Sequence, residues 1–304
     1  MIKVRDFCYN NPMNNPIKKM VFFLEYIFFR AIALLLNLIP YPVAMATARS
    51  FGICLYYILP SRRKITLDNL KAAYPGKSKE EIEDIAKGAF QNMALVAIEF
   101  VSIPRLVRKN FIRTVNTHHV WDALKGGKGL IFIVAHLTNW ELMAVASSLA
   151  KFPMYAVARP VKNPFVYQYI KKLRGYAGLI SIDKEGAIRE TMKRLKQNNV
   201  VSFLIDQHER QGAAKVQFFG RPCYSTTLPA RIAAKYGTPA LLTYSYRDSN
   251  GVVTMDFEKP FQLINTGDEK KDAEANTQIF VNAIERRVRE MPENWLWMHR
   301  RWRA

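Results

Sequence analysis

The sequence predicts an α/β protein: a mixed, mainly parallel sheet flanked by helices, with an N-terminal helical membrane-associating region. Three observations carry that expectation. From Gly126 onward, short apolar runs alternate with segments of helical composition, the pattern of strands joined by crossover helices. Residues 130–134 are an unbroken Leu-Ile-Phe-Ile-Val run, which suits a strand covered on both faces rather than a half-exposed one. Residues 21–39 are strongly apolar and lie near the start of the chain.

At 304 residues with 49% apolar content, the chain can bury one large α/β core with a smaller helical part attached. The composition changes near residue 110, which gives a leader at 1–19, a helical region at 20–110 and an α/β domain at 111–304. Cys8, Cys54 and Cys223 are scattered and odd in number, so no disulfide framework follows and a reducing compartment fits. Lys and Arg outnumber Asp and Glu by 45 to 25, a net charge of +20. Such an excess favours a polyanionic partner: nucleic acid, an anionic membrane surface or an acidic carrier protein.

In chain order, residues 1–19 are polar and Asn-rich. In 21–39, Glu25, Arg30 and Asn37 share an arc of about 140° with Lys18 and Lys19, and Phe22, Phe29 and Leu36 fall in the same arc. Arg30 near the centre of a span would cost about 2.5–3.5 kcal/mol, against about 0.3–0.6 gained per strongly apolar residue. A membrane span, an interfacial helix with Lys18 and Lys19 on headgroups, and a buried core helix all fit. Residues 43–59 form a second apolar helix ended by Pro60, followed by the basic cluster Arg62, Arg63 and Lys64, which suits anionic headgroups. Residues 78–101 read as a long helix, with Ser78 as cap and Glu80, Glu81 and Glu83 in its first turns.

Further strands are expected at 154–158, 179–182, 200–205, 240–246 and 252–257. Between them lie helices at 163–174, opened by Asn163-Pro164, at 185–197, and at 228–236, stopped by Gly237. A last helix covers about 272–291. No internal repeat and no Gly-rich phosphate loop is present.

His136 ends the first buried strand, where open α/β folds place ligands. Glu141 follows five residues later; with a turn between, it can hold one imidazole nitrogen and leave the other free to take a proton. Thr138 to Glu141 also fits a capping box. A metal site is not expected: the pair lacks a third ligand, and His118, His119, His208 and His299 form no metal pattern. There is no Gly-x-Ser-x-Gly elbow and no Cys placed beside a His, so a covalent intermediate has no obvious nucleophile.

The block His136-Leu-Thr-Asn-Trp-Glu141 resembles the His-x4-Asp/Glu block of the lysophospholipid acyltransferase superfamily, most nearly its lipid A biosynthesis (lauroyl/myristoyl) branch. Ordered matches continue at Arg159-Pro160 with Asn163-Pro164, Asp206-Gln207, the 218–222 Phe-Phe-Gly-Arg-Pro block and the 292–302 Pro-Glu-Asn-Trp segment. The resemblance covers roughly residues 20 to 302. Ala135 stands where Gly commonly precedes the His, and Thr138 where Gly is usual.

The resemblance implies a membrane-associated O-acyltransferase on the cytoplasmic face of a bacterial inner membrane. It would move a fatty acyl chain from acyl-acyl carrier protein or acyl-CoA to a lipid or glycolipid hydroxyl, with a lipid A precursor as acceptor. No permanent cofactor and no nucleic-acid partner are implied. His136 would be the base and Glu141 its orienting acid. Arg159, at a strand end, would serve the oxyanion. Asn139 would position the turn or donate to substrate, and Asp206 would bind an acceptor hydroxyl or brace an arginine, each with a turn cap as the plainer reading. Phe218 and Phe219 would line the acyl pocket, with plain core as the alternative. The aromatic and Arg-rich 295–303 segment suits a membrane interface, or nucleic acid by stacking. Glycerophospholipid or mannosyl-lipid acylation is the rival within enzymes, and a non-catalytic basic membrane- or nucleic-acid-binding protein is the rival outside them.

Overall fold

The computed structural model describes residues 15–158, 161–183 and 186–303. The first fourteen residues of the leader, the Arg159-Pro160 pair and Glu185 lie outside these. Among the described residues, helices come first: α1 (Pro16–Leu38), α2 (Tyr41–Ile58), α3 (Pro60–Ala73), α4 (Lys79–Val101) and α5 (Ile103–Arg108). The α/β part opens with β1 (Ile112–Val115), α6 (His118–Leu124), β2 (Leu130–Val134), α7 (Met143–Leu149), β3 (Met154–Ala158), α8 (Pro164–Tyr176), β4 (Leu179–Asp183), α9 (Ala187–Lys196) and β5 (Val200–Leu204). It continues with β6 (Ala213–Phe218), β7 (Arg221–Thr226), α10 (Leu228–Tyr236), β8 (Ala240–Arg247), β9 (Val253–Phe257) and α11 (Glu269–Glu290).

Seven strands form one sheet in the order β1-β9-β8-β2-β5-β3-β4, and β6 and β7 make a separate antiparallel hairpin. Within the large sheet every pairing is parallel except β8 with β9. The expected mixed, mainly parallel sheet flanked by helices is therefore present. β2 lies at its centre with all five side chains buried. Ile131 and Ile133 pack on one face with Phe90 of α4, Ile232 of α10 and Phe280 of α11. Leu130, Phe132 and Val134 pack on the other with Met143 and Val145 of α7 and Phe257 of β9. Burying each such side chain contributes about 1.5–3 kcal/mol, so a sequence run with no polar break has somewhere to go on both sides. The chain enters β2 through Gly129, whose φ of 68° and approach to Leu195 O (2.7 Å from an added Cβ) leave no room for a side chain.

Local signals place the helices. Ser78 and Glu81 form the reciprocal capping box that opens α4. Asn163 caps α8 with Pro164 as its first residue, and Gly237, at φ 61°, stops α10. Two expectations change. α1 begins at Pro16, capped by Asn15, so residues 16–19 are helix rather than leader. The second apolar helix ends before Pro60 as expected, α2 stopping at Ile58, but Pro60 also opens a further helix, α3, after a 94° bend. Arg62, Arg63 and Lys64 thus stand on the opening turns of α3. The hairpin β6–β7 is too mixed in polarity, and β1 at four residues too short, to stand out from loop in the sequence.

Candidate active site

β2 and β5 are paired in parallel with Leu130 opposite Val200 and Val134 opposite Leu204, an offset of 70 residues. Two residues beyond each strand, the same offset sets His136 beside Asp206. The Asp206 carboxylate accepts from His136 twice: from the backbone N–H at Oδ2 and from the ring Nδ1–H at Oδ1, both at 2.8 Å. The Trp295 indole donates a third bond, 2.8 Å to Oδ2. Burial alone would raise this carboxyl. The attraction of the His136 ring when it is protonated, the two His136 hydrogen bonds and the Trp295 bond outweigh it and hold the group down at about 2. An ionised partner at Nδ1 fixes that nitrogen as the donor, so Nε2 carries the lone pair. The Gln207 amide lies 3.2 Å from Nε2. Trp140 covers the ring edge-on, with centroids 4.7 Å apart.

The turn after His136 is built on a buried polar network. Asn139 is fully buried; its Oδ1 accepts from Glu141 N (3.0 Å), its Nδ2 donates to Glu99 of α4 (2.7 Å), and its N–H donates to Ser245 of β8 (3.1 Å). Glu99 in turn pairs with Arg247 at 2.9 and 2.7 Å, and Asn92 donates to Thr138 O and Asn294 O. The C-terminal segment closes the turn from the other side: Leu296 N donates to His136 O (3.1 Å) and Thr138 N to Asn294 O (2.9 Å). Thr138 sits at φ 49°, the left-handed region, where Gly would be unstrained.

Several sequence expectations need correction. The carboxylate on His136 Nδ1 is Asp206, not Glu141. Glu141 instead receives both arms of the Arg174 guanidinium, at 2.9 and 2.6 Å, in the geometry of a bidentate pair. Asp206 neither braces an arginine nor stands free for an acceptor hydroxyl, since its oxygens are taken by His136 and Trp295. The Asn139 side chain is committed inside the turn and does not reach substrate. Phe218 and Phe219 are core: they pack on Trp295 (5.3 Å) and Trp297 (5.7 Å), 1% and 6% exposed. Trp295 and Trp297 are themselves buried, so they offer nothing to a membrane or a nucleic acid. Arg159 lies outside the described residues. Lys18 and Lys19 are exposed on the first turn of α1, whereas Arg62 donates to Met298 O, Arg63 lies over the Tyr56 ring and Lys64 pairs with Asp68.

Residues the sequence did not single out are Gln207 as the contact of Nε2, Arg174 as the partner of Glu141, and Glu99 beneath the turn. One signal for the Asp206 pairing was available. The run 130–135 is apolar, 200–205 is apolar but for Ser202, and each gives way at once to a titratable residue, as two adjacent parallel strands ending at one edge would.

His136, Trp140, Glu141, Arg174, Gln207 and His299 line a cavity of about 570 Å³ at the carboxyl edge of the sheet. Val157, Leu204, Glu209 and Thr226 are common to its wall and to that of a second cleft of about 410 Å³, which continues past Phe203, Ile188 and Leu228. Neither Cys54 nor Cys223 lines the cavity, and the Ser202 hydroxyl in its wall donates to Tyr155 O.

A mainly parallel sheet with a His–carboxylate pair at its carboxyl edge, open to a cavity, defines an α/β protein equipped for general-base chemistry. The chain belongs to the bacterial lipid A biosynthesis acyltransferase family, whose model matches residues 15–304. It is 26% identical over 275 residues to the lipid A biosynthesis palmitoleoyltransferase of Escherichia coli (strain K12), covering 88% of this chain and 87% of the relative. It is 23% identical over 279 residues to the lipid A biosynthesis lauroyltransferase of the same organism, with the same coverage. A phosphatidylinositol mannoside acyltransferase of Mycolicibacterium smegmatis is 21% identical over 194 residues, 62% of each chain. The protein is an acyltransferase.

Proposed function

We propose that the protein transfers a fatty acyl chain from an acyl thioester to a hydroxyl of a lipid A precursor, with His136 as base and Asp206 as its orienting carboxylate. The observation that carries this reading is the His136–Asp206 pair with Nε2 turned to the cavity. The acceptor hydroxyl displaces the Gln207 amide and gives its proton to Nε2 as its oxygen attacks the thioester carbonyl. Asp206, kept ionised, stabilises the imidazolium that results. When the tetrahedral intermediate collapses, the C–S bond breaks and the proton passes from Nε2 to the departing thiolate. Arg159 keeps the oxyanion role that its Arg-Pro motif suggests.

The acyl chain occupies the cleft beyond Val157 and Leu204, whose Phe203, Ile188 and Leu228 walls are apolar. That placement replaces Phe218 and Phe219, which have no free surface to offer. The strong basic excess suits an acidic acyl carrier protein as donor and an anionic inner-membrane face as location. Relatives named for lipid A cover more of the chain than those named for mannosides, which favours a lipid A acceptor over a mannosyl lipid.

Turnover of an acyl thioester with and without lipid acceptor, in detergent, tests the reading. His136→Ala should abolish transfer. Asp206→Asn should lower kcat on the order of 10²–10⁴-fold, because an amide no longer enforces the productive tautomer. Near-normal turnover by His136→Ala would sink the mechanism.

A further inference from the structure

α1 shows two unlike faces. Its 23 residues make a helix about 34 Å long, long and apolar enough to cross a bilayer. One arc, which includes Met20, Leu24, Ile27, Phe28, Leu34 and Leu35, is exposed and carries no charge. The opposite arc is docked on protein. Phe22, Tyr26, Phe29, Ala33 and Leu36 are partly or fully buried at alternating steps of four and three residues, the spacing of a helix packed along a neighbour.

The contacts run almost the whole helix. Asn163, at the start of α8, donates to Phe22 O and to Glu25 at 2.8 and 2.9 Å. The Phe29 ring meets Tyr169 at 5.9 Å, and the Arg30 guanidinium lies 4.3 Å above that same ring. Asn37 donates to Val101 O at 3.1 Å, and Arg105 donates to Ile39 O at 2.7 Å. The polar residues that interrupt the apolar run of α1, Glu25, Arg30 and Asn37, are thus the ones that hold it to the body.

From Phe22 to Ile39 the body therefore lies alongside about 26 Å of helix, close to the roughly 30 Å of a hydrocarbon core. An upright α1 would draw α8, with Lys171 and Lys172, into lipid beside it, which charged groups strongly disfavour. We propose that α1 does not cross. It lies along one leaflet of an anionic phospholipid bilayer, the exposed arc in the acyl region and the body on the water side. Lys18 and Lys19, exposed at its first turn, reach the anionic headgroups, and the net charge of +20 draws the molecule to them. The same posture brings the His136 cavity to the membrane surface, since Arg174 of α8 is in its wall.

Two measurements on the full chain test this. In a Cys54→Ser protein, with Cys223 buried, Cys8 and an added Lys79→Cys on the body are the thiols to label with a membrane-impermeant maleimide. In sealed inside-out and right-side-out vesicles both should react from the same side; reaction of Cys8 from the side opposite Lys79→Cys overturns the proposal. Separately, Met20→Cys, Ile27→Cys and Leu34→Cys, each in a Cys8→Ser/Cys54→Ser background, carry a fluorophore in vesicles with quenchers at graded acyl depths. A helix lying in the leaflet gives one depth for all three, whereas a crossing helix gives a deep centre between shallow ends and would overturn it. Acyl transfer in detergent is measured apart from both, so either idea can fail alone.

Discussion

Glu141 stands in the cavity wall and Asp206 is buried behind His136, and the partners of the two carboxylates divide the work. Asp206 is tied to the imidazole and stays ionised to about pH 2, so its removal changes the state of the base. Glu141 is tied to Arg174 in the wall, so its removal frees a guanidinium that lines the cavity. Glu141→Gln should therefore raise KM more than it lowers kcat, the opposite of Asp206→Asn. Steady-state kinetics on the two variants decide it: an equal loss of kcat at unchanged KM would return Glu141 to the role of orienting acid. Arg159→Lys belongs to the kcat group, because lysine keeps the charge and loses the planar fork that an oxyanion would use.

At the scale of elements, the turn between β2 and α7 holds a β-branched residue in a left-handed conformation, and its hydroxyl is buried without a hydrogen-bond partner. Strain of this type costs on the order of 1–3 kcal/mol, and an unmet buried hydroxyl adds about 1–3. Glycine at that position gives back roughly 1 kcal/mol in chain entropy. Thr138→Gly should then raise the melting temperature, read by calorimetry, while a fall would show that the Thr138 methyl packing dominates.

The cleft past β5 offers a second element-scale outcome. Ile188→Trp, on α9, fills it from its exposed side and should shift product chains shorter at unchanged His136 chemistry, as mass spectrometry of acylated product would show. Unchanged chain length would place the acyl group elsewhere.

Strands and capped helices were legible in the sequence because their signals are local: an unbroken apolar run for β2, Ser78 with Glu81 for α4, Asn163-Pro164 for α8. His136 was legible because it ends such a run. Its partner was not, since His136 and Asp206 meet only through the β2–β5 pairing, and the nearer Glu141 drew the assignment. Phe218 and Phe219 misled for a related reason: residue type alone does not separate a pocket wall from a core packed on Trp295 and Trp297.

For the molecule as a whole, acid sensitivity should come in two stages. Burial pushes the His299 imidazole from an ordinary 6.5 down to about 4, against the pull of Asp206. Its folded value lies below its unfolded one, so the unfolded chain binds the proton first as pH falls. The stability that neutral His299 contributes is complete above about 6.5 and is lost progressively down to about 4. Asp206 is depressed instead, so its contribution persists through that window and is lost only between about 4 and 2. Melting temperature against pH should fall from neutral toward 4, and His299→Gln should flatten that first limb alone. An unaltered limb in the variant would assign it to other groups. The pairing of β2 with β5 also has a meaning for descent. Because the β2–β5 ladder, and not a crossover loop, sets His136 against Asp206, the surrounding crossovers can lengthen, shrink or change residues while the two side chains keep their spacing.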